Sequence, residues 1–198
     1  MLEQLRHTRA YRVTDAAGRL LARLGLTANG ITVLGFLLSM GAAYLIAVGY
    51  LAWAALVVVA AGICDVLDGA LARLRGSSKF GALLDSTLDR LSEGALLFGV
   101  MVFYGGQGDT GKMLLTYVAL VGSVLVSYIR ARGESLGLSY KGGLLTRAER
   151  IVVLVLGLLL NSISGGRSLV AALWLLMAFS YFTSAQRLWY FYRHAGDK

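Results

Sequence analysis

Between Arg23 and Asp65 the chain runs for 41 residues without a charged side chain. One helix needs about 20 apolar residues to cross the hydrocarbon layer, so this run is long enough for two. The turn between them is expected near Gly49 and Tyr50, giving spans at about 31–49 and 51–72. Four more apolar runs follow, at about 81–104, 113–133, 149–164 and 168–191. Each is far longer than the short alternating segments of a membrane barrel. The sequence therefore predicts an all-α integral membrane protein of six transmembrane helices. With 57% hydrophobic and only 15% charged residues, the chain has too little polar surface for a soluble domain of its size.

The net charge of +8 invites a nucleic-acid reading until the positions of the charges are considered. Seventeen of the nineteen Lys and Arg residues fall in the N-terminal segment, the second-to-third connection, the fourth-to-fifth connection and the C-terminal end. Only Lys112 and Arg167 are left for the opposite face. That asymmetry satisfies the positive-inside rule with six spans and both termini cytoplasmic, and no nucleic-acid partner is expected. The first thirty residues carry Arg6, Arg9, Arg12, Arg19 and Arg23, unlike a signal peptide. Within them Val13, Ala17, Leu20 and Leu24 recur at helical spacing, which predicts an amphipathic helix over 1–28 lying on the cytoplasmic leaflet. No linker or repeat marks a second domain, so 1–198 reads as one unit, with 29–198 forming the bundle. Small residues at Gly35, Ser39 and Ala43 recur every four positions, the spacing of close helix contacts in membranes. The lone Cys64 excludes an internal disulfide or a thiolate zinc site.

Four aspartates stand out against this apolar background. Asp65 and Asp68 are three apart near the end of the second span, and Asp85 and Asp89 are four apart near the start of the third. Each pair shares a helix face, and a short connection makes the two helices antiparallel, so the faces can oppose. An aspartate at the bilayer centre costs about 2.5–3.5 kcal/mol on insertion scales, so this grouping needs compensation. Depth supplies part of it, because the residues lie at cytoplasmic helix ends. A hard divalent cation supplies the rest: oxygen-only ligands suit Mg²⁺ or Mn²⁺, and four carboxylates are enough for two ions. Solvated helix ends paired with Arg73, Arg75 and Arg90 are the alternative, and it accounts poorly for all four at once.

These residues follow the pattern D-x-x-D-G-x-x-A-R, a loop, then G-x-x-x-D-x-x-x-D, through Asp65, Asp68, Gly69, Ala72, Arg73, Gly81, Asp85 and Asp89. The pattern resembles the signature of the CDP-alcohol phosphatidyltransferases. Seven residues separate Arg73 from Gly81 where that family more often has eight, and Ala28 stands where it usually has Pro. Asn29 and Thr32 keep its N-x-x-T element. The resemblance implies transfer of a phosphatidyl group from CDP-diacylglycerol to an alcohol, with release of CMP. Asp65, Asp68 and Asp85 would hold metal, and Asp89 would bridge to metal and act as general base. Asn29, Thr32, Gly69, Ala72 and Arg73 would contact the CDP-lipid, the small residues letting the cytidine approach the helix backbone. For Gly69 and Ala72 helix packing is the other use, and for Asn29 and Thr32 it is capping. The family also implies a homodimer in a prokaryotic plasma membrane with a cytoplasmic active site.

A second polar cluster bears on the acceptor. It comprises Ser127-Tyr128-Ile129-Arg130-Ala131-Arg132 and Thr146-Arg147-Ala148-Glu149-Arg150. Ser127 and Arg130 share a helix face, and Arg150 opens the next helix. Arginine binds phosphate in a bidentate manner, whereas a neutral polyol gains little from such a cluster. The pairing resembles the phosphatidylinositol-phosphate synthase branch of the family, which implies that Ser127, Arg130, Arg150 and more weakly Arg187 bind the phosphate of inositol phosphate. Arg130 replaces the Lys common in that branch. A phosphatidylglycerophosphate synthase using glycerol 3-phosphate would need similar arginines. A divalent-cation transporter would need the carboxylates but not Gly69, Ala72, Arg73 or the arginine cluster, and a non-catalytic scaffold would need neither.

Overall fold

The computed structural model describes residues 18–76, 78–138, 140, 142–143 and 145–194. Among them there is no strand. Six helices follow one another: α1 (Ala28–Ala47), α2 (Leu51–Arg75), α3 (Lys79–Gly106), α4 (Thr110–Ser135), α5 (Arg147–Leu159) and α6 (Arg167–His194). A shorter helical stretch, 18–23, precedes α1. Three of the long helices, α1, α3 and α4, begin where an oxygen-bearing side chain accepts from a first free amide. The Thr27 hydroxyl accepts from Gly30 N at 3.1 Å, Ser78 from Gly81 N at 2.9 Å, and the Asp109 carboxylate from Lys112 N at 3.0 Å. Thr146 N donates to Glu149 at 2.5 Å as α5 opens.

Helices α1, α2, α4 and α6 are long and apolar enough to cross a membrane by length and composition. The six helices correspond to the six expected runs. Two of them depart from an uninterrupted apolar span. Helix α3 has 28 residues, but Lys79, Asp85, Asp89, Arg90 and Glu93 fall within its first fifteen. Helix α5 has only 13 and stops at Leu159, short of the expected 164. The chain then turns through Gly165 and Gly166, whose φ values of 62° and 88° favour glycine. Most of the expected leader helix lies outside the described residues, Val13 and Ala17 included. Its described part is held to α2 by Arg75, which donates to the carbonyls of Leu26 (2.9 Å) and Ala22 (2.5 Å). Leu20 and Leu24 face outward there.

The helices pack as α1 on α2 and α3, α3 on α4, α4 on α6, and α5 between α6 and α2. The apolar core lies toward the end of the bundle away from the aspartates, around Ile46, Val58, Leu97, Val100, Leu158 and Leu173. Close approach depends on small residues, as the four-residue spacing predicted. A Cβ on Gly35 would lie 3.2 Å from that of Cys64, and a Cβ on Gly99 would meet the backbone carbonyl of Ala43. Outside, Leu37, Trp53, Phe98, Tyr117 and Trp174 are exposed, an apolar perimeter suited to lipid.

Candidate active site

Packing away the apolar halves of α2 and α3 leaves their polar halves together at the other end of the bundle. Asp65 and Asp68 come from the last turns of α2, and Asp85 and Asp89 from the first turns of α3. One carboxylate oxygen each from Asp65, Asp68 and Asp85 lie within 4.8 Å of one another. Three anionic oxygens so close repel unless a cation sits among them, and an all-oxygen set is what Mg²⁺ or Mn²⁺ selects. The residues fit such an ion. Asp89 joins the group through α5: Arg147 Nη1 lies 2.7 Å from Asp89 Oδ1 and 3.0 Å from Asp65 Oδ1. One guanidinium thus ties both acidic helices to α5.

Two cavities meet at the carboxylates. The larger, about 550 Å³, has Asp65, Asp68, Asp89 and Arg147 at one end and continues along Phe36, Val58 and Leu156 as an apolar cleft. The smaller, about 340 Å³, is lined by Asn29, Thr32, Gly69, Ala72, Gly81 and Asp85. Thr32 and Asp68 line both. A Cβ on Gly81 would lie 2.9 Å from Asn29 Oδ1, so a larger residue there would displace the Asn29 side chain that lines the smaller cavity. Arg73 extends Nη1 to within 3.6 Å of where a Cβ on Gly69 would be, and Arg75, outside the pattern, lines the smaller cavity.

The second cluster is dispersed over three helices. Arg187 of α6 is buried and donates to Val126 O at 2.8 Å and Gly142 O at 3.3 Å, next to half-buried Ser127. Arg130 and Arg150 are near enough to act on it electrostatically. Arg130 is exposed and pairs with Glu134 at 2.9 Å on its own helix. Arg150 is only 3% exposed, and its fork closes on Glu93, Nε to Oε1 at 2.6 Å and Nη2 to Oε2 at 2.8 Å. Removing one partner of so dry a pair would strand a charge at a cost of about 3–5 kcal/mol. The motif reading missed Glu93, although Asp85, Asp89 and Glu93 form one four-residue stripe along α3. The sequence places Arg147 in the second cluster, and only the fold brings it to the aspartates.

The profile of the CDP-alcohol phosphatidyltransferase family matches residues 25–185. The chain belongs to that family and is an integral membrane protein. Among relatives, the phosphatidylinositol phosphate synthase of Corynebacterium glutamicum is 37% identical over 181 residues, covering 89% of this chain and 82% of the relative. The archaetidylinositol phosphate synthase of Methanothermobacter thermautotrophicus is 42% identical over 169 residues, covering 85% and 84%. The crystal structure of Mycobacterium tuberculosis phosphatidylinositol phosphate synthase with CDP-DAG bound superposes with a TM-score of 0.82 at 37% identity, covering 89% of this chain and 92% of that one. The same enzyme in complex with manganese and citrate gives 0.83 at 36% identity, covering 90% and 88%.

Proposed function

We propose that this protein transfers the phosphatidyl group of CDP-diacylglycerol to inositol phosphate, forming phosphatidylinositol phosphate and CMP. The observation that carries the reading is the junction of an apolar cleft and a small polar cavity at four carboxylates, since a CDP-linked lipid has a tail, a pyrophosphate and a nucleotide in that order. The tails lie in the cleft between Phe36 and Leu156, the cytidine lies in the smaller cavity against Asn29, Thr32, Gly69 and Ala72, and Arg73 contacts the nucleotide phosphates. Asp65, Asp68, Asp85 and Asp89 hold two divalent ions, Mg²⁺ or Mn²⁺, which when bound offset the pyrophosphate charge and the charge that develops on the departing CMP. Asp89 accepts the proton of the acceptor hydroxyl as its oxygen bonds to the phosphatidyl phosphorus and the bond to CMP breaks. Ser127, Arg130, Arg150 and Arg187 bind the acceptor phosphate. The relatives named above support inositol phosphate, because their names share it while differing in the lipid.

The chain crosses the membrane six times, α5 and the turns of 160–166 together making the fifth crossing, with both termini and the site on the cytoplasmic side of a prokaryotic plasma membrane. Residues 1–198 form one domain, 1–28 an interfacial helix and 29–198 the bundle, and the working unit is a homodimer. The test is CMP release from CDP-diacylglycerol by the purified protein in detergent with Mg²⁺ or Mn²⁺. Inositol 1-phosphate, glycerol 3-phosphate, serine and free inositol are compared as acceptors. Turnover with inositol phosphate and not with free inositol is expected. Turnover with glycerol 3-phosphate alone would overturn the acceptor, and metal-dependent CMP with none of them would overturn the transferase reading.

A further inference from the structure

We infer that Glu93 is a positioning residue for the acceptor, acting through Arg150; the inference rests on the acceptor reading above. Glu93 follows Asp89 by one helical turn, and Arg150 follows Arg147 by one turn on α5, so α3 and α5 are joined by two ion pairs stacked one above the other. The outer pair is wet, with side-chain exposures of 30% for Arg147 and 23% for Asp89. The inner pair is dry, 3% for Arg150 and 8% for Glu93. A dry pair with both carboxylate oxygens engaged has one geometry, whereas a wet pair can exchange with water. The inner pair therefore holds Arg150, in the first turn of α5, in a single orientation relative to α3.

A guanidinium has five N–H donors in a rigid plane. Glu93 takes those on Nε and Nη2, and Nη1 reaches Leu145 O at 3.4 Å. The plane of Arg150 is thus fixed, close enough to Arg187 for the two guanidinium groups to act on each other electrostatically. Glu93 also supplies the negative charge that lets Arg150 stay buried near Arg187. A glutamine at 93 would keep the shape but lose one acceptor oxygen and the charge. An aspartate would keep the charge but fall short by one methylene.

The experiment is steady-state CMP release with inositol 1-phosphate and CDP-diacylglycerol varied in turn. It uses full-length wild type, Glu93→Gln, Glu93→Asp, Arg150→Gln and the double variant Glu93→Gln/Arg150→Gln. Thermal unfolding in detergent is run beside it. Glu93→Gln should raise the KM for inositol 1-phosphate by about tenfold to a hundredfold and leave the KM for CDP-diacylglycerol within about twofold. Glu93→Asp should raise it less. In the double variant Glu93→Gln should add nothing to the acceptor KM of Arg150→Gln, since the two act as a unit. That variant buries no unpaired charge, so it keeps the comparison available if Glu93→Gln alone fails to fold.

Equal rises in both KM values tracking a lowered melting temperature would overturn the inference in favour of a purely structural pair. So would an unchanged acceptor KM, or independent effects of the two substitutions. If the wild-type protein turns over CDP-diacylglycerol with another acceptor but not with inositol 1-phosphate, the acceptor reading fails and takes the inference with it.

Discussion

Arg147 Nη1 lies 2.7 Å from Asp89 Oδ1, and the same nitrogen lies 3.0 Å from Asp65 Oδ1. A cation from α5 is therefore already among the carboxylates that α2 and α3 contribute. Any divalent ion bound at those oxygens shares their charge with Arg147. Arg147→Gln removes that competitor, and Mn²⁺ should bind the substrate-free protein more tightly. The side chains are part exposed, so the gain is about fivefold, near 1 kcal/mol. Mn²⁺ titration followed by electron paramagnetic resonance measures it, and unchanged or weaker binding would contradict the prediction.

Asp89→Asn keeps the shape and the hydrogen-bonding reach of the side chain but cannot take a proton at neutral pH. CMP formation should fall by about a hundredfold or more, the usual contribution of a general base, while the melting temperature changes little. Retention of most activity would remove Asp89 from that role.

Gly99→Ala would place a methyl group against the Ala43 carbonyl, which is backbone and cannot swing aside. Overpacking of this kind costs about 1–3 kcal/mol, so the variant should melt earlier in detergent. Gly106→Ala has open space around it and serves as the control. Equal melting temperatures for the two would refute the close contact between α1 and α3.

Asp109 begins α4, outside the membrane-spanning segments. The Lys112 ammonium, 2.7 Å away, and the Lys112 amide hold its carboxyl below the usual range. A carboxylate with a lowered pKa contributes stability above its ordinary value and loses that contribution as pH falls through the lowered one. The melting-temperature difference between wild type and Asp109→Asn should therefore be present at neutral pH and shrink under acid. A difference that grows on acidification has the wrong sign.

Much of this arrangement is legible in the sequence because membranes punish ambiguity. An uncharged run long enough for two spans permits few structures, and Asp65, Asp68, Asp85 and Asp89 at helical spacing name their own faces. Helix ends were harder. Leu159 and Leu160 continue the apolar pattern, so the fifth run reads through to 164, yet the helix ends at Leu159 and Gly165-Gly166 complete the turn. Glu93 was hidden for another reason. Its partner lies 57 residues away on α5, and no local pattern announces a pairing that only the folded bundle creates. Arg150 likewise carries the same letters whether it faces a phosphate or a carboxylate.

The brevity of α5 shapes the surface around the site. Thirteen residues rise about 20 Å, while the hydrocarbon layer is about 30 Å thick. The short helix nonetheless brings Arg147, at its first turn, to the charged opening turns of α3, at the end of the bundle where the apolar cleft runs out from the carboxylates. On the proposed reading a lipid headgroup held at those carboxylates keeps its tails in that cleft.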